Sequence, residues 1–475
     1  LTRSRGLGDV YKRQMLSGAL AKWFDEADIE DTVMVGGKGA SLGEMYQKLS
    51  GIGVKVPNGF TLTTEAFREF VNAEIPESTW DNVGNPEGIE DVRRRAIACS
   101  TLSSALEVCL RDADTSDHLG LNGRASLARS LVRETPVPES VKRAIGAEYS
   151  KLCDMYYPGV DVAVRSSATT EDSAEASFAG QYESYLNVSG ESEIVEKWRR
   201  CVASMFTERS VGYHLENDMH PLDSSIAVVV MKMARSDKAC SGVMFTIDPD
   251  SGHDGVIHIG SSYGLGELVV QGVVSPDTYT IWKEGLRMGK FPIVYRTLGG
   301  KEQMMVYNEE STNEVHTIQV SIDERKKWSL SKDECVSLAE MGLKIEDYFG
   351  MPMDIEWAKD GISNELFIVQ ARPETIHSKS SESKMMLYKI DEKLTSKLKK
   401  DGRVIAEGQA VGTRVGTGMV RLYRTYSEVV QGRRELQGLI DTGLSPEEIS
   451  SELSVFEKGD VLVTEMTTPD WEPLM

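Results

Sequence analysis

Residues 162–181, VAVRSSATTEDSAEASFAGQ, constrain this chain more than any other stretch. They open as an apolar, β-branched run suited to a buried strand, place Arg165 on it, and pass into a loop of small hydroxyl and glycine residues. A guanidinium offers a planar fork of donors, and such a loop lets backbone N–H groups approach phosphate oxygens. Together they read as a nucleotide-phosphate site. Composition alone favours a solvated Ser/Thr loop, so the reading depends on partners elsewhere in the chain.

Two distant segments supply them. Residues 35–45, VGGKGASLGEM, set glycines and Lys38 ahead of Leu42, Met45 and Leu49, which are spaced as on one helix face. Lys38 is thereby expected near a helix N-terminus, where backbone donors and the dipole favour phosphate, although the spacing is not that of a P-loop. Residues 352–357, PMDIEW, and 366–373, LFIVQARP, flank an Asp360-Gly361 turn and read as two strands. Residues two apart on a strand share a face, so Asp354 and Glu356 point together, away from Met353, Ile355 and Trp357, and Gln370 and Arg372 share a face likewise. Two carboxylates on an otherwise apolar strand are costly to bury without a cation, and Mg²⁺ shared with phosphate oxygens fits them. The competing reading is an edge hairpin with a solvent face; Arg372, suited to a transferring phosphoryl group, weighs against it.

With these parts on one chain, the sequence from about Trp23 onward resembles the nucleotide-binding portion of phosphoenolpyruvate synthases (pyruvate, water dikinases). VKVPNGF at 54–60, SGVMFT at 241–246, GLGE at 264–267, VVQG at 269–272 and PDWEP at 469–473 belong to the same resemblance. It implies an α+β fold: a two-lobed ATP-grasp nucleotide-binding domain at 15–376, with lobes at about 15–160 and 161–376, then a linker at 377–386 and an incomplete swivelling phosphohistidine domain at 387–475. The implied activity is that of a phosphotransferase with paired acceptors, in which ATP, pyruvate and water give AMP, phosphoenolpyruvate and phosphate through a phosphohistidine.

Carried over by motif, the resemblance assigns Lys38 and Arg165 to the ATP phosphates and Ser177, Phe178, Ala179 and Gly180 to a loop covering them. Glu356, Asp354 and Gln370 become the Mg²⁺ group, and Arg372 falls on the transferring phosphate. Lys232 and Met233, ending the apolar run 226–231, border adenine through their backbone. Glu267 stays open between a contact to ribose or metal and a purely structural turn.

The family's phosphocarrier motif, of the type GGRTCHAA, is expected beyond PDWEP. None of the seven histidines (His118, His214, His220, His253, His258, His316 and His377) stands in such a context. The chain therefore reads as an N-terminal fragment, with pyruvate as a partner only through a missing C-terminal portion. Residues 1–14, LTRSRGLGDVYKRQ, read as a non-native leader ahead of Met15, the alternative being a genuine arm. Another dikinase-type phosphotransferase, such as a rifampin phosphotransferase or pyruvate, phosphate dikinase, is the runner-up, and a non-catalytic nucleotide-binding module is a third reading.

Composition agrees with a soluble enzyme of several sub-domains. At 475 residues the chain exceeds the roughly 100–200 of one domain. Its 53 Lys and Arg against 74 Asp and Glu argue against nucleic-acid or anionic-membrane partners, both of which need a basic surface. Six cysteines without C-x-x-C spacing suit reduced thiols in a cytoplasm. A homo-oligomer of the full-length enzyme is compatible with all of this. Helical spacing predicts buried stripes of Val141, Ile145, Tyr149 and Leu152 over 139–152, and of Leu338, Met341, Ile345 and Tyr348 over 332–348. Strands are expected at 226–231, 241–247, 256–259, 403–423 and 460–464. The charge run 393–403 reads as a solvated face.

Overall fold

The computed structural model describes residues 19–86, 88–115, 117–169, 182–217, 219–308, 315–374, 392–404, 416–424, 428–429, 456 and 459–464. The chain divides into two units, Leu1–Ser380 and Ser381–Met475.

The first unit is built on two antiparallel sheets. One has strands β1 (Ala21–Trp23), β2 (Gly59–Leu62), β3 (Val162–Ala168), β4 (Ser184–Val188) and β5 (Ile226–Lys232), in the order β1-β2-β5-β3-β4. The β-branched run of β5 is buried on both faces, as suits a central strand. Its Val228 and Val230 enter a core shared with the helices that cover one face, while Val229 and Met231 enter a second core shared with the other sheet. Residues on both sides of the expected lobe division at 160/161 build this sheet, since β2 pairs with β5 and β5 with β3. The change of sheet comes after β5.

The other sheet has β6 (Cys240–Phe245), β7 (Val256–Tyr263), β8 (Asp277–Trp282) and β9 (Ile293–Thr297), followed by β12 (Met353–Lys359) and β13 (Leu366–Pro373), in the order β13-β12-β6-β7-β8-β9. A hairpin of β10 (Gln303–Tyr307) and β11 (Val315–Gln319) stands apart from it. The Lys332–Phe349 helix is closed by a Ser331/Glu334 capping box and by Gly350 at φ 70°. Leu338, Met341 and Ile345 are buried as expected, but Tyr348 is 43% exposed and its hydroxyl donates to Glu44. A tyrosine at a helix end keeps its ring against the fold and its polar tip in reach of an acceptor, so helical spacing misassigns it. On the Glu139–Met155 helix, Val141, Ile145, Tyr149 and Leu152 are all buried.

In the second unit the Glu392–Lys400 helix is largely exposed, in keeping with its lysines. Strands β14 (Val420–Leu422) and β15 (Val461–Val463) pair in parallel beside an Arg421–Asp460 ion pair of 2.9 Å. These are the described strands within the expected stretches 403–423 and 460–464.

Candidate active site

Register decides where the charged residues go. Arg165 on β3 pairs with Val229 on β5 and shares its face, which is turned toward the second core and the other sheet. On β12 the alternation puts Met353, Ile355 and Trp357 in the core and leaves Asp354 and Glu356 on the opposite face. Asp354 then lies across from Arg372, and Glu356 across from Gln370. A bulge follows Glu356, so the register shifts by one residue and pairing resumes with Trp357 opposite Ile368.

Arg165, whose side chain is only 11% exposed, bridges the two sheets. Its Nη2 donates to Glu356 Oε2 at 2.9 Å and to Gln370 Oε1 at 2.7 Å, and its Nη1 donates to the Val369 carbonyl at 2.8 Å. Gln370 is 4% exposed. One rung along, Arg372 donates from Nε at 2.9 Å and from Nη2 at 2.7 Å to the same oxygen, Asp354 Oδ2. Two guanidinium–carboxylate pairs thus stand side by side.

The Thr32–Leu49 helix brings Lys38 to this seam. Two helical segments meet at Gly36, which has φ 71° and ψ 172°, and Lys38 lies in the first turn of the second, 8% exposed. Ser167, two residues past Arg165 and so on its face, donates from Oγ to the Val35 carbonyl at 2.8 Å and accepts from the Gly39 N–H at 3.0 Å. Ser41 Oγ donates to the Ala371 carbonyl on β13 at 2.7 Å. The helix is therefore bonded both to the strand carrying Arg165 and to the strand carrying Gln370 and Arg372.

Glu267 begins the Glu267–Val270 helix near Arg165. Burial raises its carboxyl above the ordinary range, and the Arg165 guanidinium opposes that only in part. Lys232 ends β5, about 10 Å along the strand from the Val229 rung, and Met233 follows it. Their backbone N–H groups donate to the Asn58 and Asp161 carbonyls, and Lys232 Nζ donates to the Met233 carbonyl at 3.1 Å while lying 3.6 Å from Asp360 Oδ2. The structure does not bring these two into the Arg165 group. Ser177, Phe178, Ala179 and Gly180 lie outside the described residues.

Sequence reasoning missed Ser167, Ser41 and the Val369 carbonyl. Only Ser167 carried a signal, its two-residue offset from Arg165. For a metal, Asp354, Glu356 and Gln370 offer hard oxygen donors, while among the described residues no group of three or more His, Cys, Asp or Glu assembles. Two carboxylates and an amide oxygen fit Mg²⁺, which keeps waters and takes its remaining ligands from phosphates.

The family model described as "Pyruvate phosphate dikinase, AMP/ATP-binding domain" matches residues 32–392, which include every site residue placed above. The chain belongs to that family. As a member of the AMP/ATP-binding domain family it is 38% identical over 468 residues to a phosphoenolpyruvate synthase of Synechocystis sp., covering 96% of this chain and 50% of that protein. It is 39% identical over 466 residues to the phosphoenolpyruvate synthase of Aquifex aeolicus, covering 97% and 48%, and 37% identical over 461 residues to that of Escherichia coli, covering 97% and 50%. The chain spans about half the length of these curated relatives. Among the described residues, no helix is long and apolar enough to cross a membrane.

Proposed function

We propose that the chain is the ATP-binding, phosphoryl-donating portion of a phosphoenolpyruvate synthase, a pyruvate, water dikinase working on ATP, pyruvate and water. The observation that carries this reading is the paired array Arg165–Glu356–Gln370 and Arg372–Asp354 on one face of a seam that the Lys38 helix also borders. It holds in one place the donors that a polyphosphate needs and the oxygens that its cation needs.

In this reading Lys38 and Arg165 bind ATP phosphates, Glu356 and Asp354 with Gln370 hold Mg²⁺, and Arg372 faces the phosphoryl group in transfer. Ser177, Phe178, Ala179 and Gly180 cover the phosphates, Lys232 and Met233 border adenine, and Glu267 serves ribose, metal or the turn itself. Bound Mg²⁺ neutralises phosphate charge. Arg372 accounts for charge that spreads over the phosphoryl oxygens only during transfer, and Arg165 with Lys38 fixes the triphosphate in line. The division into two lobes around the nucleotide, a phosphohistidine domain after residue 386 and a cytoplasmic setting belong to the same proposal. Pyruvate and any homo-oligomer are assigned to the whole protein.

Calorimetric titration tests it. The chain should bind ATP with an affinity that depends on Mg²⁺, and Glu356→Gln should lose about tenfold or more of that dependence, since it removes one metal-binding charge. Unchanged Mg²⁺-dependent affinity in the variant would remove Glu356 from the metal site, and no ATP binding by the unaltered chain would end the reading.

A further inference from the structure

Among the oxygens suited to the metal, Glu356 Oε2, Gln370 Oε1 and Asp354 Oδ2 each accept from an arginine. Arg165 Nη2 holds both Glu356 and Gln370, its Nη1 is on the Val369 carbonyl, and Arg372 holds Asp354 through two N–H groups. The four ionised groups Arg165, Glu356, Arg372 and Asp354 sum to zero charge. A bare divalent cation entering this seam brings uncompensated positive charge and has to turn Arg165 away from its acceptors. That guanidinium is largely buried, and stripping a buried charge of its partner costs far more than the pair contributes. Glu267 is a poor substitute partner because burial favours its neutral form. A polyphosphate changes the balance: it offers Arg165 new oxygens and supplies the negative charge that the cation requires.

We infer that Arg165 gates metal entry, closing Glu356 and Gln370 to free divalent cations and yielding them when a polyphosphate takes the guanidinium over. The inference rests on the nucleotide reading above and goes beyond it in assigning an order, with metal and phosphate entering together. Arg165 is then a specificity-determining residue whose removal has opposite effects on its two ligands. Loss of the arginine weakens nucleotide binding and strengthens binding of the bare cation.

The test titrates Mn²⁺, a paramagnetic stand-in for Mg²⁺, into the nucleotide-free 475-residue chain and reads free Mn²⁺ by electron paramagnetic resonance, with circular dichroism reporting the fold. The unaltered chain should bind weakly. Arg165→Gln should bind Mn²⁺ more tightly by about tenfold or more, because the cation no longer has to displace a largely buried guanidinium. The gain should vanish in Arg165→Gln combined with Glu356→Gln. Arg165→Lys keeps the charge but cannot span Glu356 and Val369 together, so it should give a smaller gain of the same sign and carries the test if the glutamine variant unfolds. Mn²⁺ affinity no higher than that of the unaltered chain in the folded variants, or a gain that persists without Glu356, overturns the gate. Mg·ATP titration of the unaltered chain judges the nucleotide reading separately, because the Mn²⁺ experiment contains no nucleotide.

Discussion

Gly36 shows how little freedom the phosphate side of the site has. Its φ of 71° lies in the left-handed region, and a Cβ built there would stand 2.0 Å from the Ser167 carbonyl oxygen. Gly36→Ala therefore combines backbone strain of about 1–3 kcal/mol with displacement of the Lys38 turn from β3. Thermal melting should fall by several degrees, and Mg·ATP affinity should drop with it. Gly51→Ala, whose added methyl meets nothing within 4 Å, should leave both unchanged. Equal behaviour of the two variants would show that the Gly36 contact does not matter. At this scale the sequence was informative where a local period governs. Asp354 with Glu356, and Gln370 with Arg372, were legible as shared faces because a strand repeats every two residues. Their meeting with Arg165 was not legible, since 191 residues separate Arg165 from Glu356 and no local rule spans such a gap.

The connection that leaves β5 is held by the turn between β12 and β13. Asp360, buried in that turn, accepts from the backbone N–H groups of Arg235, Ile362 and Ser363 and faces Lys232 Nζ. Burial alone would raise its carboxyl; the three N–H donors and Lys232 outweigh burial and carry it below the ordinary carboxylate range. A depressed folded-state value contributes stability that is present above the unfolded value, near 4, and is lost as pH falls through the folded one. Asp360→Asn should therefore destabilise the chain by about 1.5–3 kcal/mol at neutral pH, the range for hydrogen bonds to a charged group. Denaturant melts at a series of pH values should show the gap closing below about pH 4; a gap independent of pH would assign the loss to packing. Element-level reading of the sequence found the Lys38, 139–152 and 332–348 helices and strands β3, β5, β6, β7, β12 and β13, but not β1, β2, β4, β8 or β9. It does not reveal where one sheet gives way to the other, because the order β1-β2-β5-β3-β4 is not the chain order, and a reading of consecutive residues cannot see β2 pairing with β5.

For the molecule as a whole, the proposed chemistry needs an acceptor for the phosphoryl group as well as a donor site. His214, the histidine within the Glu208–Glu216 helix, is buried with Nδ1 2.7 Å from the Ser210 carbonyl and Nε2 3.1 Å from Ser224 Oγ, so neither nitrogen is available as a nucleophile. The other six stand in no phosphocarrier motif. This 475-residue chain, incubated with Mg·ATP and pyruvate, should accordingly release no AMP above background, even if it binds nucleotide well. AMP appearing in step with phosphoenolpyruvate, read by chromatography, would mean that a residue of this chain accepts phosphoryl and that the division of labour proposed above is wrong.

The bridge from Arg165 to the carbonyl and side chains of β12 and β13 also sets a schedule. On the ribosome, Lys38 and Arg165 emerge first, and the strand that answers them is complete only some two hundred residues later. At about 5–20 residues per second, the 191 residues from Arg165 to Glu356 take roughly 10–40 s to synthesise. Once residue 232 has emerged, β3 can pair with β4 and β5, but its arginine faces an edge that does not yet exist. The seam is therefore among the last parts of the first unit to close, and a nascent chain arrested before residue 353 carries the cationic half of the site without the oxygens meant to receive it.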